Sequence, residues 1–286
     1  MTPPFTSCSP LVIRFKHNSF SHHFSFEAYG VKIGISANSA EGLTEIKKLI
    51  TSALPKYRSL DENDEVDHRF IYSWNPSGRD SYYKNGERIT GWRRRDVALE
   101  WLMSDIRLTA GENAVGRIFV HAGVVAWKGK AIVMPAHSMR GKSSLTAALI
   151  ERGAVYYSDE YAIFDAQGYV HPFTKDLSIR GDLKSRRQID YPAEAFGAVA
   201  ATERAPVGMI LLTEYGPRAR WKPRILTAAT GLLEMIRYTL PIRRDPKFTL
   251  TVLQHIAKNN LIIKTKRPDA KDAVDRIIEL FERKVA

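Results

Sequence analysis

The chain has 286 residues, of which 44% are hydrophobic, and its 43 Lys and Arg against 31 Asp and Glu give a formal net charge of +12. That length and apolar content can bury the core of one large or two ordinary domains of a soluble globular protein, while the single cysteine, Cys8, excludes an internal disulfide. No apolar run approaches the ~18 residues needed to cross a bilayer and the N-terminus lacks a signal-peptide pattern, so a cytoplasmic protein with no membrane partner is expected, its charge favouring an anionic partner.

In chain order, residues 11–36, "LVIRFKHNSFSHHFSFEAYGVKIGIS", are rich in aromatic and β-branched residues and partly alternate apolar with polar, which predicts strands. In "SAEGLTEIKKLITSALP", Leu43, Ile46, Leu49, Ile50 and Leu54 fall on one helical face, with Ser39 as a cap and Pro55 as a stop. The acidic "SLDENDEVD" reads as a loop, "HRFIYSW" as a strand, "YYKNGERIT" as a hairpin turning at Asn85-Gly86, and "RRDVALEWLMSDIRLTA" as a helix. Residues 1–110 are therefore expected to form a small α+β region.

From residue 111 the pattern changes. "GRIFVHAGVVAWKGKAIVMP" predicts two apolar strands around the turn Lys128-Gly129, and "SSLTAALIERG" predicts a helix stopping at Gly153. "AVYYSDEYAIFD" reads as a strand, as does "VGMILLTEY"; helical segments follow around "GLLEMIRYTL", "FTLTVLQHIAKN" and "AKDAVDRIIELFERKV". There is no internal repeat and no low-complexity tract.

Between the second strand and the helix lies "MPAHSMRGKSSL", which ends as a phosphate-binding loop ends, in Gly141-Lys142-Ser143. The triplet alone is a weak signal, and the alternative is an irregular loop with exposed Arg140 and Lys142. Its position strengthens it, because a helix that starts there aims its partial positive charge and free N–H groups at whatever the loop encloses. In that geometry Ala136, His137, Ser138, Met139, Arg140, Gly141, Lys142, Ser143 and Ser144 would surround the phosphates. Lys142 would reach them as a point charge, Ser143 would hold Mg²⁺ through its hydroxyl, and Gly141 would permit close backbone approach. Ala136 stands where such loops usually open with glycine. Asp159 and Glu160, at the end of the strand after the helix, are the candidate carboxylates for metal and proton work.

The run "HAGVVAWKGKAIVMPAHSMRGKSSLTAALIERGAVYYSDEYAIFD", with "LSIRG" downstream, resembles the catalytic domain of the HPr kinase/phosphorylase family and its HPr-kinase-like relatives, in order and spacing over residues 121–181. The resemblance implies an α/β fold: a P-loop kinase domain with a mixed central sheet, of the PEP-carboxykinase-like type, over residues 111–286. It implies ATP and Mg²⁺ as cofactors, with Lys142 and Ser143 as nucleotide and magnesium ligands. It makes Asp159 the catalytic carboxylate and sets Glu160 where the family has a second aspartate, as a metal ligand. It aligns His121 with the histidine at the edge of the family's active site, and Arg180 with the arginine of its Ile-Arg-Gly motif. The activity implied is transfer of the γ-phosphoryl group to a hydroxyl, a serine of a protein or peptide, and the family also implies a homo-oligomer. The chain departs from the family's pattern at Ala136, in an acidic run cut to Asp159-Glu160, and in residues 1–110, so HPr itself is not assumed as substrate.

Two readings from other classes remain open. A catalytically degenerate nucleotide-binding regulator or scaffold would account for Ala136 and the short acidic run. A nucleic-acid binder would use the cluster Arg218, Arg220, Lys222, Arg224, Arg237, Arg243, Arg244 and Lys247, which also suits an acidic protein partner or a plain solvated face. Trp92, Arg93, Arg94 and Arg95 form a second basic patch at a predicted helix start, where positive charge opposes the helix dipole. His17, His22 and His23 have no partners at metal-ligand spacing.

Overall fold

The computed structural model describes residues 19–61, 64–137, 141–180 and 188–285, with backbone alone for 178–180 and 188–190. They form two compact units, the first of residues 19–51 and Lys56–Ile106, the second of Ser52–Pro55 and residues from Arg107 onward. The expected strand at 11–18 lies outside the described residues.

In the first unit, β1 (His22–Ala28) and β2 (Val31–Ala37) form a hairpin whose turn residues Tyr29 and Gly30 have φ of 55° and 79°. Helix α1 (Ala40–Ala53) then crosses to β4 (His68–Ser73), which lies parallel to β2, as such a crossover allows. The α1 start is capped by Ser39, whose Oγ accepts from the Gly42 N–H at 3.2 Å, and its Leu43, Ile46 and Ile50 are buried. The short β3 (Arg58–Ser59), then β5 (Arg79–Lys84), β6 (Glu87–Arg88) and β7 (Arg93–Arg94) complete a sheet of order β3-β1-β2-β4-β5-β6, with β7 also on β5. The division between units falls within α2 (Arg95–Asn113). The arginines at its start have a local explanation: the Arg95 guanidinium lies 3.5 Å from the Trp74 ring centre and donates to Asp80 Oδ2 at 2.8 Å, while Arg94 pairs with Asp96. Asp80 is fully buried, so these contacts compensate a charge that would otherwise be costly to desolvate.

The second unit is built on β8 (Ile118–Trp127), β9 (Lys130–Pro135), β10 (Val155–Ser158), β11 (Tyr161–Phe164), β12 (Val170–His171), β15 (Val207–Tyr215), β16 (Arg224–Ile225) and β17 (Leu261–Arg267). Their order is β12-β11-β8-β9-β15-β17-β16, with β10 also on β8. The sheet is mixed: β9, β15 and β17 run parallel, and β8 is antiparallel to β9. A two-stranded pair, β13 (Leu177–Arg180) and β14 (Gln188–Tyr191), stands apart from it. Successive residues of the central strands feed two different cores, as strand alternation requires. Val125, Ile132, Met209 and Ile263 pack with α3 (Lys142–Ile150) and α6 (Ala270–Lys284). Val124, Val133, Ile210 and Ile262 pack with α4 (Ala228–Ile236) and α5 (Pro246–Asn259). Burying each such side chain contributes roughly 1.5–3 kcal/mol before the entropy cost.

Two local features differ from the sequence expectation. Residues 154–165, read as one strand, are two: β10 pairs with the Val124–Ala126 part of β8 and β11 with its Ile118–His121 part, and the chain breaks between them at Asp159-Glu160. Strand β17, which joins β15 in parallel, was not expected, because "LIIKTKR" is short and half basic.

The β11–β12 turn is organised by buried Asp165, which accepts from Gln167 N and Tyr169 N, both at 3.0 Å, and pairs with His171 Nε2 at 2.9 Å and Arg204 NH1 at 2.7 Å. Burial would raise its pKa, but the bonds from His171 and Arg204 outweigh this and lower it. Its stabilisation is thus present above the unfolded carboxylate range and lost as pH falls through the lowered folded value. Asp165→Ala is expected to cost on the order of 3 kcal/mol near pH 7, read as a lower urea midpoint with an unchanged slope. The gap from wild type should narrow in acid; a cost below ~0.5 kcal/mol at pH 7 would contradict this role.

Candidate active site

The turn from β9 into α3 is where the sheet meets a helix N-terminus. Gly141 sits at the N-cap of α3 with φ 78° and ψ 25°, a left-handed conformation, and no side chain caps the helix. The first N–H groups of α3 therefore lack intrahelical partners. A side chain at 141 would also collide, since a Cβ there would lie 2.6 Å from NH2 of Arg267. That guanidinium, 2% exposed at the end of β17, donates to Gly141 O at 2.8 Å and to Pro268 O at 3.0 Å. Burial lowers its pKa, with Asp269 and Tyr215 opposing the shift. Among the described residues its Nε and the Thr213 Oγ1 are buried without a hydrogen-bond partner, and both residues line a recess of about 10 Å³ beside Gly141 and Lys142, room for about one water.

The Lys142 ammonium folds back on its own loop, donating to Ala136 O at 2.8 Å and His137 O at 3.1 Å. It also lies 3.0 Å from His121 Nδ1, which is itself 2.7 Å from Ala136 O. With hydrogen on Nδ1, two donors crowd one carbonyl and leave the lysine against the ring. Burial pushes the Lys142 pKa down to about 8, partly offset by Asp159 and Glu160. His121 is lowered too, first by burial and then by Lys142, so its imidazole is neutral at pH 7. The His137 ring lies 4.7 Å from that of Tyr238.

Next along α3, Ser143 Oγ donates to Asp159 Oδ2 at 3.1 Å. Asp159 follows β10, which pairs with β8, the neighbour of the strand β9 that enters the loop, and Ser158 Oγ fixes the break by accepting from Glu160 N at 3.1 Å and Tyr161 N at 3.0 Å. Glu160 turns the other way: its Oε1 accepts from Arg107 Nε at 3.0 Å. Lys175 bridges the two carboxylates, 3.3 Å from Asp159 Oδ1 and 3.4 Å from Glu160 Oε2. Burial opposes ionisation of Glu160, yet Arg107 and Lys175 outweigh it and lower its pKa.

Of the residues singled out in the sequence, the structure gathers Ala136, His121, Gly141, Lys142, Ser143, Asp159 and Glu160, and places Ser144 exposed on the first turn of α3. Ser138, Met139 and Arg140 lie outside the described residues. Arg180 is on β13, its backbone opposite Gln188, and its side chain is not described. Sequence reading missed Arg107, Lys175 and Arg267. Each reaches the site from a distant segment, and nothing in its own neighbourhood marks it. Among the described residues no group of three or more His, Cys, Asp and Glu side chains forms a metal cage. The basic residues Arg218, Arg220, Lys222, Arg224, Arg237, Arg243, Arg244 and Lys247 are all exposed.

No protein-family model matches the chain, and no curated protein matches it. Among solved structures, the Hpr(Ser) kinase/phosphatase from Coxiella burnetii is similar over 58% of this chain and 93% of that one, at 15% identity and a TM-score of 0.29. Likeness at that level leaves the reading of the site to its own geometry. Among the described residues, no helix is long and apolar enough to cross a membrane.

Gly141→Ala should cost ~1–3 kcal/mol from the left-handed backbone and the contact with Arg267. Ser144→Ala, on the exposed side of the same turn, should stay within ~0.5 kcal/mol. Equal urea midpoints for the two variants would show that the Gly141–Arg267 contact does not constrain the turn.

Proposed function

We propose that the second unit is an ATP- and Mg²⁺-dependent kinase of HPr-kinase-like type that transfers the γ-phosphoryl group to a hydroxyl, a serine of a protein or peptide. The observation that carries this reading is the Ser143 Oγ to Asp159 Oδ2 contact of 3.1 Å at the N-terminus of a helix whose first residue is Lys142. Strand, left-handed glycine, lysine and hydroxyl then stand in the order that phosphate binding uses.

The oxygens fit a magnesium ion. Adjacent ligands of an octahedral Mg²⁺ at 2.0–2.1 Å stand about 2.9 Å apart, close to the 3.1 Å between Ser143 Oγ and Asp159 Oδ2. The expectation that Glu160 is the metal's carboxylate is revised in this proposal, because its two oxygens already face Arg107 and Lys175. Ser143 and Asp159 would hold the ion, which when bound neutralises charge on the phosphates. Lys142 would leave Ala136 O and His137 O for the β and γ phosphates, alongside the N–H groups of α3. Asp159 would orient the acceptor hydroxyl and take its proton as the acceptor oxygen bonds the γ-phosphorus and the bond to the β–γ bridging oxygen breaks, releasing ADP. His121 and Arg180 would assist proton and charge handling at the edge of the site.

A second reading, a nucleotide-binding regulator without catalysis, is favoured by one observation: Lys142 is already satisfied by its own loop beside a recess of only about 10 Å³. Titration calorimetry with Mg²⁺-ATP, followed by transfer of labelled phosphate to candidate peptides, separates the two. Wild type should bind, and Lys142→Ala should lose at least ~tenfold in affinity, the loss of one charge-assisted contact or more. Asp159→Asn should retain nucleotide through Lys142 and the N–H groups of α3, with a weaker dependence on Mg²⁺, and lose transfer by ~100-fold or more. Retained turnover would end the assignment of Asp159; binding without turnover in wild type would favour the regulator; and no binding at all would sink both readings.

A further inference from the structure

Lys175 has no place in the proposed chemistry, yet it touches both carboxylates on which that chemistry rests. Every oxygen of the acidic pair is engaged. Asp159 Oδ2 faces Ser143 and its Oδ1 faces Lys175; Glu160 Oε1 faces Arg107 and its Oε2 faces Lys175. The Lys175 side chain is 11% exposed and that of Arg107 18%. The Lys175 carbonyl is tied down by the Tyr156 hydroxyl, which donates to it at 2.7 Å. Among the described residues two carboxylates and two cations thus form a largely buried quartet beside Ser143.

We infer that Lys175 is a built-in counter-cation that excludes a free divalent ion from Asp159, so that metal enters this site only together with a polyphosphate. An ion arriving alone at Ser143 and Asp159 meets a carboxylate whose other oxygen already carries an ammonium. In a poorly hydrated region that like-charge contact is weakly screened. A polyphosphate changes the balance by bringing negative charge and oxygens of its own, which offset the added ion and offer Lys175 a further partner. An uncompensated acidic pair would behave oppositely and load metal first. Arg107 contributes by holding Glu160 in place, which fixes the second anchor of Lys175.

This inference rests on the cation site proposed above, at Ser143 and Asp159, and not on phosphoryl transfer. The test is Mn²⁺ binding followed by electron paramagnetic resonance on the full chain, with Mn²⁺ alone and with Mn²⁺ plus a non-hydrolysable ATP analogue. Wild type should bind Mn²⁺ alone weakly and much more tightly with the analogue. Lys175→Met should bind Mn²⁺ alone ~tenfold or more tightly than wild type does, and Lys175→Arg should behave as wild type. A gain in affinity is not a result that damage to the fold would give. If Lys175→Met does not fold, Lys175→Gln, which keeps a hydrogen-bonding head without the charge, carries the same expectation. Metal affinity unchanged or weakened in the neutral variants overturns the inference, and tight binding of Mn²⁺ alone by wild type overturns it too. If wild type binds Mn²⁺ with the analogue while the neutral variants show no gain, the counter-cation fails and the proposed function stands. If the neutral variants gain affinity while wild type never binds the analogue, the counter-cation stands and the nucleotide reading fails.

Discussion

The second unit is organised around the electrostatic problem of placing two consecutive carboxylates, Asp159 and Glu160, inside a sheet. Asp159 is 5% exposed, and buried charges are tolerated only when paired and hydrogen-bonded. The chain solves this by ending β10 one residue before the pair and starting β11 one residue after it, while both strands stay on β8. Asp159 meets Ser143 on α3, while Glu160 meets Arg107, and Lys175 lies between them. The arrangement ties the end of α2, the break in the sheet, the start of α3 and the loop after β12 to a single set of charges. Replacing it by apolar groups would be compatible with stability in principle, so packing alone does not account for these four side chains.

Most of the elements were legible because they are written locally. The hairpin turns Asn85-Gly86 and Lys128-Gly129 have positive φ at both positions, as their sequences predict, and the apolar stripe of α1 is buried as its spacing requires. The order of strand, Gly141, Lys142, Ser143 and helix was equally visible. The failures share a cause. "LIIKTKR" becomes a buried parallel strand only because β15 and α6 are there to receive it, and its lysines mask a run too short to declare itself. "AVYYSDEYAIFD" breaks in two because Ser158 turns back to bind the next two N–H groups, a choice driven by the neighbours of Asp159 and Glu160 rather than by strand propensity.

The site was half legible for the same reason. Gly141, Lys142, Ser143, Asp159 and Glu160 form two short motifs, each readable alone, and the sheet brings them together. Their partners Arg107, Lys175 and Arg267 are single basic residues among the 43 of this chain. A cation earns its meaning from what it faces, and facing is a tertiary property. The arginines at the start of α2 show the converse: in sequence Arg95 is one of a basic patch that opposes the helix dipole, and in the structure it is the partner of buried Asp80.

The positive side of the site is as crowded as the negative side is balanced. Around Ala136 and Gly141 converge the ammonium of Lys142, the unprotonated His121, the buried guanidinium of Arg267 and the partial charge at the start of α3. Burial depresses the Lys142 pKa to about 8, and only Asp159 and Glu160 offset the shift, even though Lys175 and Arg107 already balance that pair. The carbonyls of Ala136 and His137 therefore serve Lys142 as a parking place, each a neutral acceptor where a charged one would bind more strongly. On the proposed reading, a group bringing negative charge to Gly141 would relieve the Lys142–His121 contact and meet the first N–H groups of α3. That asymmetry, an acidic pair already faced by two cations beside a turn where, among the described residues, positive groups meet neutral carbonyls, is the electrostatic ground of the phosphate-site reading proposed above.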